Sequence, residues 1–104
     1  MEVLEFLSEG LLHPAKAGWN APMNTNKALE TYIEYLRLNQ PEHLKWVLYR
    51  LDVDEIQLQL ELTSLEEQTR AQHIAQRMLQ RAQSILESRK QYSSGNNDLS
   101  FDVY

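Results

Sequence analysis

The sequence predicts an all-α fold, a small bundle of four to five helices with a long C-terminal helix and a flexible tail. Between Leu29 and Leu86, apolar side chains recur every three to four positions, the spacing of amphipathic helices. Three of the six glycines and prolines, which interrupt helices, lie within residues 14–22. A chain of 104 residues supports one domain with one modest core. We therefore assign residues 1–92 to a single helical domain and residues 93–104 to the tail.

A short helix is predicted over residues 2–12, followed by a loop over residues 13–23. Apolar residues in the first segment follow roughly helical spacing. In the loop, each proline lacks a backbone donor and keeps the residue before it out of helical geometry. We expect Trp19 and Met23 to pin this loop to the helices.

Two helices with a very short connection follow, and we expect them to pack antiparallel as a hairpin over residues 26–51. Thr25 and its asparagine neighbours offer oxygens that can cap the free N–H groups at the start of the first helix. Pro41 suits the first position of the second helix, where a backbone N–H would have no partner within the helix. From Leu44 to Leu51, apolar residues recur at the spacing of a single helix face.

Residues 52–63 fit two structures. Aliphatic residues at every second position from Ile56 to Leu62 alternate with glutamine and glutamate, as in a half-buried strand. Leucine, glutamine and glutamate are nevertheless good helix formers, and a single strand would leave its backbone groups without partners. We therefore predict a helix, which either Asp52 or Asp54 could cap.

The last helix is predicted to be the longest, from a capping box at Ser64 and Glu67 through about Gln91. At about 1.5 Å per residue it would be about 40 Å long, more than a core of this size needs. We expect part of its apolar face, with Leu79 and Leu86, to dock onto another molecule.

Charge is distributed unevenly along the chain. The net charge is −5 overall, −7 over residues 1–69, +4 over residues 70–92 and −2 over the last 12 residues. An acidic body with one basic helix indicates internal complementarity, in which the basic helix lies on the acidic body or on another copy of it. The isoelectric point near 5.1 disfavours nucleic acid as a partner, since phosphate binding normally accompanies a basic domain.

The residue types exclude most metal sites. There is no cysteine, which removes disulfides, thiolate nucleophiles and cysteine-bound metals. The carboxylates within residues 52–55 lack the glycine and glutamate that a calcium-binding EF-hand loop requires, so we interpret them as helix caps. The histidines His13, His43 and His73 are singletons without the spacing of metal ligands.

No motif for catalysis is present in the sequence. It lacks a GxSxG nucleophile elbow, and its three glycines cannot build a phosphate-cradling loop. We expect no cofactor, no metal and no enzymatic activity, and an enzyme with carboxylates or histidines in a helical pocket ranks last. The acidic first residues differ from a signal peptide, and no apolar run approaches the roughly 18 residues that cross a bilayer. We therefore expect a cytoplasmic protein that does not contact a membrane.

Eight residues form the candidate interaction surface. Glutamines recur every fourth position in the long helix beside a ridge of arginines, and this combination suits a helix–helix interface because buried glutamine costs less than buried lysine or glutamate. Aromatic residues beside the apolar stripes of the central helices would add an anchor patch if they converge. The candidates are Tyr35, Trp46, Tyr49, Arg70, Gln76, Arg77, Gln80 and Arg81.

These features favour a non-enzymatic helical module for protein–protein interaction or for structure. Its expected partner is another protein or a second copy of the chain, with a homodimer preferred. In that contact Arg77 and Arg81 would meet acidic residues such as Glu30 and Glu34. The alternative is a small regulatory protein that contacts nucleic acid through the basic helix of residues 70–90.

Overall fold

The computed structural model describes the backbone of residues 2–95 and the side chains of residues 3–90. This part of the chain contains helices and connecting loops and no strand, so the predicted all-α fold is confirmed. The helices are α1 (Glu2–Leu7), α2 (Asn26–Asn39), α3 (Pro41–Arg50), α4 (Glu55–Thr63) and α5 (Glu67–Gly95), with a π-helical turn (Ser8–Leu12) directly after α1.

The predicted first helix is divided into α1 and the π-helical turn that begins at Ser8. Leu11 and Leu12, adjacent in sequence, are both buried in this turn. The turn ends at His13, which has a left-handed φ of 46° and donates its N–H to the carbonyl of Ser8. Pro14 accounts for this end, because it keeps His13 out of right-handed helical geometry.

Helix boundaries in the middle of the chain follow local sequence signals. The Thr25 side chain accepts a hydrogen bond from the first turn of α2 at 3.0 Å, and Pro41 occupies the first turn of α3, as predicted. Asp54 rather than Asp52 caps α4, since its Oδ1 accepts the N–H of Ile56 at 3.0 Å. Each cap satisfies donors that have no partner inside the helix.

The core lies mainly between α2 and α5, and α1 also packs against α5. α3 packs against α2 and the π-helical turn. Several α5 residues at the centre are small, which lets the two longest helices approach closely. The buried residues of these two helices are Leu29, Tyr32, Ile33 and Leu36 on α2 and Ala71, Ile74, Ala75, Met78 and Ala82 on α5.

The prediction of a helix within residues 52–63 is confirmed by α4. Residues two apart on a helix point about 200° apart, so the alternating pattern produces two apolar stripes on opposite sides. Leu58 is buried and Leu62 is half-buried against the core. Ile56 and Leu60 form the other stripe, which is exposed.

The predicted capping box at Ser64 and Glu67 is wrong. Ser64 ends α4 instead, where its Oγ donates to the carbonyl of Glu61 at 2.9 Å. Its hydroxyl is therefore engaged with the preceding helix, and α5 begins three residues later at Glu67.

α5 is longer than the sequence predicted. It has 29 residues and continues to Gly95, past the expected end near Gln91. At about 1.5 Å per residue the helix measures about 44 Å, close to the longest dimension of the molecule, 46 Å. Of the tail predicted over residues 93–104, residues 96–104 lie outside the described part of the chain.

Candidate interaction surface

Glu61 lies at the centre of a polar cluster between α4 and α5, the Glu61 cluster (Gln57, Glu61, His73 and Arg77). Its Oε1 accepts a hydrogen bond from His73 Nε2 at 2.6 Å, and both of its oxygens accept from Arg77 Nη1 at 2.7 Å. Gln57 Nε2 donates to Oε2 at 3.2 Å. An ionised carboxylate only accepts, so His73 carries a proton on Nε2. These charge-assisted bonds join the two helices.

The same contacts lower the pKa of Glu61 to about 2. The hydrogen bond from His73 contributes most to this lowering, and the bond from Gln57 comes next. Partial burial of the carboxyl group opposes them, while Arg77 adds to them through its hydrogen bond and its charge. Glu61 is therefore ionised at neutral pH, and its charge is neutralised within the fold.

The three candidate arginines are all engaged within the chain. Arg77 belongs to the Glu61 cluster, and Arg81 Nε donates to the carbonyl of Leu51 at 2.9 Å, just beyond the end of α3. Arg70 Nε donates to the carbonyl of Leu65 at 3.3 Å. All three side chains are half-buried. The expected arginine ridge is thus part of the contact between α5 and the preceding elements.

The acidic residues expected to meet these arginines have other partners. Glu34 accepts a hydrogen bond from Arg37 at 2.7 Å, and Glu30 lies 3.9 Å from Lys27 Nζ. Arg37 also bonds Glu67 at 2.9 Å, which links α2 to the start of α5. The pKa of Glu67 is lowered by this hydrogen bond and by the positive charge of Arg37.

The candidate glutamines remain on the surface. Gln76 and Gln80 are both exposed on α5. Gln80 lines an open depression of about 480 Å³ together with Val3, Asn26 and Leu79. These candidate glutamines are therefore accessible, whereas the candidate arginines are half-buried and bonded within the chain.

Tyr35 belongs to an anchor for the loop of residues 13–23 and not to an exposed patch. Its ring lies 5.1 Å from that of Trp19, and its hydroxyl donates to the carbonyl of Ala17 at 2.8 Å. Gln40 Nε2 donates to the same carbonyl at 3.1 Å. Trp19 is packed against the core, as the sequence predicted.

The last carbonyl of the π-helical turn is held in a similar way. The carbonyl of Leu12 accepts from Tyr32 Oη at 3.2 Å and from His43 Nε2 at 2.8 Å. Because a carbonyl only accepts, His43 carries a proton on Nε2 in this contact. Burial raises the pKa of Tyr32 to about 12, and the nearby Tyr35 adds to this shift. No local sequence signal predicts these contacts, since they join residues far apart in the chain.

Trp46 and Tyr49 lie on the outer side of α3, where 44% and 79% of their surfaces are exposed. The Trp46 ring stacks on His43 at a centroid distance of 5.9 Å and an interplanar angle of 14°. The guanidinium carbon of Arg50 lies 5.7 Å from the centre of the Trp46 ring. These two contacts restrain the indole while a large part of it remains accessible.

Glu42 completes this surface, which we name the α3 face (Glu42, Trp46, Tyr49 and Arg50). Glu42 and Arg50 are exposed at the two ends of α3. In the described part of the chain neither forms an ion pair, and both charges are therefore available to a partner.

The outer stripe of α4 is a second exposed apolar surface. Ile56 and Leu60 are 76% and 63% exposed and line an open depression of about 520 Å³ with Glu55, Gln59 and Thr63. Neither residue was among the candidates predicted from the sequence. Their i, i+4 spacing, opposite the buried Leu58, is the signal that could have identified them.

Two further findings concern other kinds of site. Among the residues that the structure describes, no group of three or more histidine or carboxylate side chains could hold a metal ion. Within the same part of the chain, no helix is long and apolar enough to span a membrane.

Comparisons with protein-family models, with curated proteins and with solved structures gave no match to this chain.

Proposed function

We propose that this protein is a non-enzymatic helical module for protein–protein interaction that self-associates through the α3 face. The observation that carries the proposal is the exposure of Trp46 and Tyr49 beside Arg50 on one side of a short helix. Tryptophan, tyrosine and arginine are the residues that most often dominate the binding energy of protein interfaces.

The opposite side of α3 supports this role. Leu44, Val47 and Leu48 are buried in the core, so the helix is firmly held. The position of Trp46 is restrained by His43 and Arg50. A partner that covers the indole would therefore lose little conformational entropy on this side of the contact.

A second copy of the chain is the partner that the charges favour. The α3 face carries an acid and a base, Glu42 and Arg50, without an internal ion-pair partner in the described residues. A surface with both signs can be complementary to itself, which an isologous dimer requires. We retain the cytoplasm as the proposed location.

The nucleic-acid alternative receives less support. Arg70, Arg77 and Arg81 each donate to a carbonyl or carboxylate of the chain itself. Binding of a phosphate by these side chains would require exchange of those bonds, and for Arg77 the loss of its charge partner Glu61. The opposing loss offsets the gain that phosphate contacts normally provide.

Sedimentation equilibrium over a wide concentration range tests the proposal. We expect the wild-type mass to rise above the 12.2 kDa of one chain as concentration increases, and the double variant Trp46→Ala/Tyr49→Ala to remain at one chain. Leu38→Ala is the matched control, because Leu38 is 68% exposed on a different helix. A wild-type mass of one chain up to about 1 mM, where an association of about −4 kcal/mol would be visible, contradicts the proposal.

A further inference from the structure

On the α3 face, an acidic and a basic residue lie at equal distances on either side of Trp46. Glu42, Trp46 and Arg50 follow one another at intervals of four residues. Successive members of such a series are displaced by only about 40° around the helix. The three side chains therefore form one narrow stripe, with the acid and the base each about 6 Å along the helix from Trp46.

We propose that two copies of the chain pair through antiparallel α3 helices, about a two-fold axis at Trp46, with Glu42 of each chain facing Arg50 of the other. This inference rests on the proposed function and specifies its geometry. In a two-fold contact centred on residue 46, a residue four positions before the centre meets the residue four positions after it in the second copy. The antiparallel arrangement thus forms two ion pairs at once.

The same charges disfavour the parallel arrangement. With the helices parallel, Glu42 would face Glu42 and Arg50 would face Arg50, and like charges at these positions repel.

The size of the contact predicts a weak dimer. α3 has 10 residues and is about 15 Å long, so the α3 face is smaller than the roughly 800 Å² per partner of a standard stable interface. Self-association should therefore depend on concentration. It should also weaken as salt is added, because the ion pairs lie at the exposed ends of the contact.

Charge reversal tests the geometry. We expect Glu42→Arg and Arg50→Glu each to weaken self-association about tenfold at low ionic strength, since each variant places two like-charged pairs in the contact. An equal mixture of the two variants should associate as strongly as the wild type, because the all-basic and all-acidic faces are then complementary. The double variant Glu42→Arg/Arg50→Glu should likewise recover self-association.

Glu9→Arg and Lys16→Glu are the controls, since they make the same changes in net charge at exposed positions outside α3. Circular dichroism checks the fold of each variant. If a reversal unfolds α3, Glu42→Gln and Arg50→Gln replace it, each with an expected weakening of about threefold.

The outcomes separate the two proposals. A monomeric wild type removes the proposed function and this geometry with it. Wild-type self-association that is lost in Trp46→Ala/Tyr49→Ala, but whose charge-reversed variants do not recover on mixing, overturns the antiparallel geometry alone. Recovery on mixing, reduced in about 0.5 M salt, supports it.

Discussion

His73 on α5 and Glu61 on α4, twelve positions apart in sequence, are joined by a hydrogen bond of 2.6 Å between Nε2 and Oε1. Arg77, one turn further along α5, binds the same carboxylate. α4 has a single fully buried side chain, Leu58, so these polar bonds are a substantial part of what holds it to the rest of the molecule.

Glu61→Gln should lower the midpoint temperature of thermal unfolding. The substitution keeps the size of the side chain but removes the charge that His73 and Arg77 both contact, and it leaves Arg77 half-buried without a counterion. Glu5→Gln, an exposed position on α1, makes the same change in charge and should leave the midpoint unchanged. Equal midpoints for the two variants would show that the Glu61 cluster does not stabilise the fold.

Acid should weaken the fold through the same carboxylate. The pKa of Glu61 is about 2 in the folded protein, against 4.5 for an unperturbed glutamate. The folded state therefore binds the proton less readily, and its stabilisation is complete above about pH 4.5 and is lost as pH falls towards 2. Thermal unfolding of wild type and Glu61→Gln should differ at pH 6 and converge near pH 2. A difference between the two proteins that stays constant over this range would contradict the linkage.

Met78→Ala should lower the free energy of unfolding by about 2–5 kcal/mol. Met78 is fully buried on α5 in the core, and truncation leaves a cavity there. Leu38→Ala removes a comparable side chain that is 68% exposed and should cost less than about 0.5 kcal/mol. Urea denaturation measures both. Similar costs at the two positions would mean that the described core is not where the free energy of folding resides.

Tyr35→Phe should lower the free energy of unfolding by about 0.5–1.5 kcal/mol. The variant loses the hydroxyl that donates to the carbonyl of Ala17, but Gln40 continues to donate to that carbonyl. Removal of both donors in Tyr35→Phe/Gln40→Leu leaves the carbonyl without either bond. The double variant should therefore cost more than the sum of the single variants, by at least about 0.5 kcal/mol. Strict additivity in urea denaturation would show that the two donors do not share this acceptor.

The sequence was sufficient for those parts of the fold that depend on neighbouring residues. Thr25, Pro41 and Asp54 lie at helix starts that local capping chemistry predicts. The start of α5 could not be predicted in this way, because Ser64 can satisfy either the helix before it or the helix after it. In the folded chain its hydroxyl bonds to the carbonyl of Glu61, a choice that the sequence pattern leaves open.

The candidate surface depended on contacts between distant residues, and the sequence predicted it less well. Arg77 and Arg81 have the spacing of an exposed ridge, yet their partners Glu61 and Leu51 come from segments that only the tertiary structure brings to α5. Tyr35 likewise looked similar to Trp46 in sequence. The loop of residues 13–23 covers Tyr35 and leaves Trp46 accessible.

The alternating pattern of α4 has a consequence for the unfolded chain. Residues 56–62 combine aliphatic and uncharged polar side chains without glycine or proline, and Glu61 is their single charge. Segments of this composition stack into cross-β fibrils when they are released from a fold. Acid that protonates Glu61 would both free the segment and remove the charge that keeps its copies apart. Lysine in place of the exposed Leu60 should therefore suppress fibril growth near pH 2, as followed by thioflavin T fluorescence.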